Sequence, residues 1–311
     1  MTNMTSPDGT RASAFCFGTM QFGAKADDAA AAAMFADCRA AGVNFFDTAY
    51  MYTGGASETM LGALVAQERE ALIVATKAAY DMPANRANIL GSFETSRTRL
   101  GVEMIDLFYM HRWDDTTPIE ETFETLAGLQ SAGKIRYIGV SNYAAWQVMK
   151  AQSVAKSLGT RIDCFQPMYS LVKRQAEVEI LPMAMDQGIA IVPYSPLGGG
   201  LLTGKYVGGA GSGRLVEDDR YAARYGLPEF HDAAARLVAI AQREGHDPAT
   251  LACAWAARHP GVTAPILSAK SAEQLAPSLA ALTYSMTDAL YAELSTLVAT
   301  PPPATDRLEE A

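Results

Sequence analysis

Residues 44–62 read NFFDTAYMYTGGASETMLG. A strand-like apolar run stops at Asp47, and Tyr52 follows five residues later in a segment rich in Gly, Ser and Thr. Asp commonly opens turns and Tyr commonly covers a core, so the stretch taken alone is readable as an ordinary turn. Its other reading is a site built where strands end. The choice depends on whether other strands end in the same way.

They do. Short β-type runs are expected near 15–19, 43–46, 72–76, 105–110, 135–140, 163–166, 189–193 and 264–267. Helical patterns lie between them, at 27–41, 57–68, 86–100, 118–132, 144–158, 174–187, 248–258 and 271–282. Most are Ala-rich with apolar residues three and four apart. Gly42, Gly101, Gly133, Gly159 and Gly188 each follow a helical run as stop signals, and Pro118 suits a first helical turn. Eight strands alternating with helices imply a parallel sheet. The count is that of a closed (β/α)8 barrel of the TIM type, with an open doubly wound sheet as the alternative. Residues 195–230 read as a long Gly- and Arg-rich loop after the seventh strand, followed by a helix at 231–244. A last helix is expected near 287–298, and 299–311 reads as a disordered tail. Nothing resembles an interdomain linker, so 1–311 reads as one barrel domain with its core at about 15–285.

The 311 residues are 49% apolar and 19% charged, a globular composition. A net charge of −9 argues against non-specific nucleic-acid binding. The cysteines at 16, 38, 164 and 253 have no metal-type or CxxC spacing and sit in apolar segments. They read as reduced core thiols in a reducing compartment. The N-terminal segment is polar, without the apolar stretch of a secretory signal, and no run reaches transmembrane length. The expectation is a cytoplasmic protein with no membrane partner.

In such a barrel, chemistry sits where the strands end. The polar residues there are Asp47, Lys77, His111, Ser141 with Asn142, Gln166, and Tyr194 with Ser195. Six consecutive strands thus deliver polar groups to one rim, and Tyr52 hangs over it. Tyrosine titrates near pKa 10, and an adjacent ammonium lowers that value. A buried lysine needs a counter-charge, which Asp47 supplies. A histidine can orient a substrate oxygen. The set makes a proton donor for a carbonyl oxygen and lacks a nucleophile or metal cluster, so it needs a hydride source.

These motifs resemble the aldo-keto reductases: NFFDTAYMYTGGASETMLG, IVATK, DLFYMHRWD, GKIRYIGVSNYAAW, QPMYSLVKR and YSPLGGGLLTGKY, in the family's order and spacing over about residues 15–285. SNYAAW and LGGGLLTGKY look closest to the aflatoxin-aldehyde-reductase branch and its bacterial relatives. The resemblance implies that Tyr52 is the general acid, that Lys77 and Asp47 tune it, and that His111 orients the carbonyl. It also implies that Ser141, Asn142 and Gln166 hold a nicotinamide carboxamide on which Tyr194 stacks. Potassium-channel β subunits share the resemblance, so a cofactor-binding regulatory or scaffolding subunit is the competing function.

Two cradles suit the cofactor phosphates. The stretch SPLGGGLLTGK (195–205) offers successive backbone amides, with Ser195, Leu197, Gly198, Gly200, Leu201 and Lys205 as contacts. The stretch LSAKSAEQL (267–275) places Ser268, Lys270, Ser271 and Gln274 where a strand meets a helix N-terminus. By resemblance, Lys270 faces an adenosine 2′-phosphate, which favours NADPH over NADH. Ala276 and Ser278 stand where many relatives carry Arg or Asn, which weakens strict NADPH use. Met20, Tyr50 and Trp113 are candidate pocket residues. Arg214, Arg220 and Arg224 are either a solvated basic loop or a clamp for an acidic substrate tail. The expected substrate is an aldehyde or ketone, sugar-like or acidic; the oligomeric state is not legible.

Overall fold

The computed structural model describes residues 4–209 and 211–310. In chain order the elements are β1 (Cys16–Gly18), α1 (Asp28–Ala40), β2 (Phe45–Asp47), α2 (Ala56–Val65), β3 (Ile73–Ala78), α3 (Arg86–Leu100), β4 (Ile105–Met110), α4 (Ile119–Ser131), β5 (Ile135–Ser141), α5 (Ala145–Ser157), β6 (Cys164–Gln166), α6 (Ile180–Gln187) and β7 (Ala190–Ile191). Then come α7 (Arg214–Glu217), α8 (Asp219–Tyr225), α9 (Pro228–Glu244), α10 (Pro248–Arg258), β8 (Ile266–Leu267), α11 (Ala272–Leu279) and α12 (Asp288–Ser295). The strands pair in parallel in the order β7-β6-β5-β4-β3-β2-β1-β8. Thr263 N–H donates to the Ile191 carbonyl (2.8 Å) and Ile266 N–H to the Pro193 carbonyl (2.9 Å), which joins the two ends. The architecture is a (β/α)8 barrel with extra helices after the seventh strand and at the C-terminus.

Alternation along the strands builds two apolar layers. Phe45, Ile73, Ala75, Leu107, Tyr109, Cys164, Ala190, Val192 and Ile266 fill the interior. Their neighbours Phe46, Val74, Phe108, Phe165, Ile191 and Leu267 pack outward with Met34, Phe93, Phe123 and other helical side chains. All four cysteines are buried free thiols, as their apolar settings lead one to expect. Met4 also enters the interior layer, while Arg136 holds the Thr5 carbonyl (2.7 Å), so the N-terminal segment packs beneath β5. Its polar sequence gave no hint of that.

Local signals set most helix ends. Asp27, Asn85, Asp247, Ser271 and Thr287 cap α1, α3, α10, α11 and α12 through their side chains. Gly101, Gly188 and Gly245 end α3, α6 and α9 in the left-handed region.

Three expectations need correction. The segment 195–230 is not one loop: it holds a 3-10 turn over Gly198–Thr203 and the short helices α7 and α8. The helix expected from 231 begins three residues earlier because Pro228 fits its first turn. The helix expected over 174–187 is regular only from Ile180, after a 3-10 turn at Gln175–Glu177. Proline at 182 lacks the N–H that a continuous helix from 174 would need. The tail contains a 3-10 turn at Leu308–Glu310.

Candidate active site

The inward parity of each strand runs on into its C-terminal end. Phe45 leads to Asp47, Ala75 to Lys77, Tyr109 to His111, Cys164 to Gln166, Val192 to Tyr194 and Ile266 to Ser268, each two residues on. Strand alternation therefore aims all six at the barrel mouth.

Lys77 and Asp47 form an ion pair with side chains 0% and 3% exposed. The Lys77 ammonium also donates to the Thr48 carbonyl (2.7 Å), and Gln166 Nε2 donates to the other Asp47 oxygen (2.9 Å). Burial pushes the Asp47 carboxyl up, against the charge and hydrogen bonds of Lys77. Burial works to lower Lys77, yet Asp47 and Tyr52 hold it above its ordinary value. The ammonium stays charged in a dry site.

Tyr52 opens a 3-10 turn, Tyr52–Gly55, in which Thr53 has φ 50°. The turn is fastened by Thr53 Oγ1 donating to the Phe22 carbonyl (2.9 Å) and by Ser57 N–H donating to Thr53 Oγ1 (3.0 Å). The Tyr52 ring lies 5.0 Å from the Lys77 ammonium and edge-on to His111, with centroids 5.9 Å apart. Burial raises the phenol pKa; Lys77 lowers it by charge and hydrogen bonding but does not win. Lys77 acts on the phenol in the expected direction, but in this state dehydration outweighs the ammonium, and the phenol keeps its proton. His111 is pulled down to about 2 by burial, then by the charges of Lys77 and Arg112, and is neutral. Its Nδ1 is buried with no hydrogen-bond partner among the described residues. A buried polar atom left unpaired at a strand end invites a ligand.

Asn142 ties the neighbouring strand ends together. Its Nδ2 donates to the His111 carbonyl (2.9 Å) and Ser141 Oγ (3.1 Å), and its Oδ1 accepts from the Tyr194 hydroxyl (2.8 Å). Ser141 Oγ donates to the Gln166 carbonyl (2.9 Å). Asn142 and Ser195 adopt φ values of 55° and 62°, and Ala79, just past β3, 58°. Left-handed backbone at three strand ends on one rim of the barrel is strain of the kind that clusters at functional sites.

A scan against protein families matches residues 14–299 to the aldo/keto reductase family. The chain belongs to the aldo/keto reductase family. The YrpG oxidoreductase of Bacillus subtilis is 35% identical over 301 residues, covering 89% of this chain and 90% of that one. L-glyceraldehyde 3-phosphate reductase of Escherichia coli K12 is 32% identical over 78% of this chain and 75% of its own length. Aflatoxin B1 aldehyde reductase member 2 of Rattus norvegicus is 40% identical over 61% of this chain and 53% of its own. Aldo/keto reductases are oxidoreductases that use nicotinamide cofactors and act on small carbonyl compounds.

The residues expected to meet the cofactor phosphates lie at the mouth of this aldo/keto reductase. Gly198, Gly199 and Gly200 have φ of 56°, 66° and 97°, which turn the chain sharply beside Leu197 and Leu201. A Cβ on Gly200 would meet Lys205 Nζ at 3.4 Å, so the glycine backbone faces the ammonium. Across the mouth, Ser268 Oγ is buried without a hydrogen-bond partner among the described residues. Lys270 is exposed, its N–H bonded to Gln274 Oε1 (3.3 Å), and Ser271 caps α11. Ala276 is exposed, whereas Ser278 is buried against the Cys253 thiol, away from this cradle. Lys25, in the β1–α1 loop, pairs with Glu217 of α7 at 2.7 Å. Lys205 and Lys270 also lower the Glu217 carboxyl, after the hydrogen bond and charge of Lys25. Neither Lys25 nor Glu217 stood out in the sequence; only the path of 195–225 joins them.

The expected pocket residues divide. Met20 is half-buried in the β1–α1 loop. Trp113 packs on Tyr143 and Trp146 (5.2 and 5.7 Å) and donates to Asp115 (2.6 Å). Tyr50 lies under the Arg99 guanidinium (4.9 Å). Arg220 forks onto Asp218 and is 77% exposed. Arg214 and Arg224 stack on Tyr221, at 5.1 and 5.6 Å. Tyr221 influences the Tyr52 phenol, and the Tyr80 ring packs tilted against His111, with centroids 4.8 Å apart. Both belong to the mouth and lacked a distinguishing sequence pattern. Among the described residues no group of three or more His, Cys, Asp or Glu is placed to hold a metal ion. No helix among them is long and apolar enough to cross a membrane.

Proposed function

We propose that the protein is an NADPH-dependent reductase of aldehydes or ketones in which Tyr52 is the general acid. The observation that carries this is the placement of the Tyr52 phenol against a buried, charged Lys77 and beside the unpartnered His111 Nδ1. A bound nicotinamide would supply the hydride that the carbonyl carbon takes. Tyr52 gives its proton to the carbonyl oxygen as negative charge develops there, and the Lys77 charge steadies the resulting phenolate. Neutral His111 orients that oxygen, and Asp47 keeps Lys77 charged. Ser141, Asn142, Gln166 and Tyr194 hold the nicotinamide end.

The glycine turn, Lys205, Ser195 and Ser268 take the pyrophosphate. Lys270, with Ser271 beside it, takes the adenosine 2′-phosphate and Gln274 lies near the adenine, which favours NADPH and leaves NADH as a weaker donor. The relatives named for glyceraldehyde 3-phosphate and aflatoxin aldehyde support aldehyde substrates. Arg224 and Arg214, without carboxylate partners among the described residues, favour substrates with an acidic tail. The free buried thiols fit a cytoplasmic setting. The test is NADPH oxidation with a panel of neutral and carboxylated aldehydes: turnover supports the reading, and binding of neither nicotinamide nucleotide overturns it.

A further inference from the structure

Thr76 and Lys77 are consecutive on β3, so their side chains leave opposite faces of the sheet. Lys77 points inward to Asp47 and Tyr52. Thr76 points outward and donates to Glu58 Oε1 at 2.7 Å. Glu58, on α2, is 0% exposed, a burial that a carboxylate tolerates only with partners. Its second oxygen takes Arg99 Nη1 at 3.1 Å. The same Nη1 donates to the Tyr50 carbonyl at 2.9 Å, and the guanidinium covers the Tyr50 ring at 4.9 Å. Tyr50 is two residues before Tyr52, and its N–H is bonded to the Lys77 carbonyl (3.0 Å). A Cβ on Gly55 would lie 2.4 Å from Arg99 Cζ, so the loop carrying Tyr52 closes directly over the guanidinium. One arginine on α3 thus fastens three things: the Tyr52 loop, α2, and through Thr76 the strand that presents Lys77.

We propose that Arg99, with Glu58 and Thr76 behind it, is a positioning residue that sets the Tyr52 hydroxyl against Lys77 and the carbonyl oxygen. This rests on Tyr52 being the general acid. Arg99 touches neither Asp47 nor His111, so its effect passes through the loop. A misplacement of about 1 Å at a reacting group costs roughly 100-fold. Arg99 is suited to the task because a planar fork can hold a carbonyl and a carboxylate together while stacking on a ring; lysine cannot do all three.

The test is a double-mutant cycle with NADPH and 4-nitrobenzaldehyde on full-length protein, with NADPH affinity read by tryptophan fluorescence. R99M is expected to lower kcat roughly 10- to 100-fold with NADPH affinity unchanged. R99K is expected to fall between R99M and wild type. T76V, which removes the support behind Glu58, is expected to lower kcat by less than R99M. In the Y52F background each substitution is expected to leave the residual rate unchanged, because the group being positioned is gone. The same factor of loss in both backgrounds, or a parallel loss of NADPH affinity, overturns the proposal. Should R99M fail to fold, R99K decides, and wild-type kcat in R99K overturns it. Full turnover by Y52F alone would instead remove the reading of Tyr52 as the acid, a distinct outcome.

Discussion

Asp47 accepts hydrogen bonds from two residues far from it in sequence: Lys77, 30 positions on, at Oδ1, and Gln166, 119 positions on, at Oδ2. A carboxylate at the end of β2 is thereby locked to the ends of β3 and β6. Its charge is met inside the barrel rather than by water, which keeps Lys77 ionised beneath Tyr52.

Removing one partner of such a pair exposes the other. Lys77→Met leaves Asp47 buried and uncompensated, and unfolding stability in urea is expected to fall by about 3–5 kcal/mol. Adding Asp47→Asn is expected to recover most of that loss, since a buried pair replaced as a whole is often near neutral. Activity is expected to stay lost in both. A double variant no more stable than Lys77→Met would contradict the assignment of the pair.

His111 makes a pH-dependent contribution. Its unfolded value is 6.5 and burial pulls the folded value down to about 2. The folded state therefore disfavours the proton: the contribution is full above pH 6.5 and is lost as pH falls from there toward 2. One pKa unit is about 1.4 kcal/mol. Between pH 7 and pH 5, wild type is expected to lose about 2 kcal/mol more stability than His111→Asn, read from urea midpoints at each pH.

Much of this was legible in advance because strand periodicity is short and exact enough to count. Asp47, Lys77, His111, Gln166 and Tyr194 each end an apolar run, and the parity that buries Phe45 or Tyr109 aims them inward. The segment 195–225 was not legible. The helix α7 has four residues and α8 seven, too short for a 3.6-residue pattern to declare itself, and both depend on packing. The Lys25–Glu217 pair spans 192 positions, a contact set by the path of the chain and not by local spacing. The net direction of the Tyr52 pKa was not legible either: Lys77 lowers it as the residue pair implies, but sequence does not weigh that neighbour against lost water.

The Lys25–Glu217 pair tests the cradle. Both side chains are about half exposed, at 53% and 49%, and such pairs contribute about 0–1 kcal/mol. Glu217→Gln is expected to speed NADPH dissociation by at most about fivefold at low salt and by nothing measurable at high salt, read by stopped-flow fluorescence. A larger effect would mean that Glu217 does more than hold α7 to the β1–α1 loop.

Lys270 tests cofactor choice. A hydrogen bond to a charged group contributes about 1.5–3 kcal/mol. Lys270→Met is expected to weaken NADPH binding roughly 10- to 100-fold and to leave NADH binding unchanged. Equal weakening of both nucleotides would remove Lys270 as the reader of the 2′-phosphate.

The central claim is that Tyr52 delivers the proton. The most direct measurement is kcat for NADPH-dependent reduction of an aldehyde by wild type and Tyr52→Phe, with NADPH affinity taken from tryptophan fluorescence of the same samples. Loss of roughly 10²–10⁴-fold in kcat with NADPH affinity retained is the predicted result. Undiminished turnover by Tyr52→Phe would contradict the account.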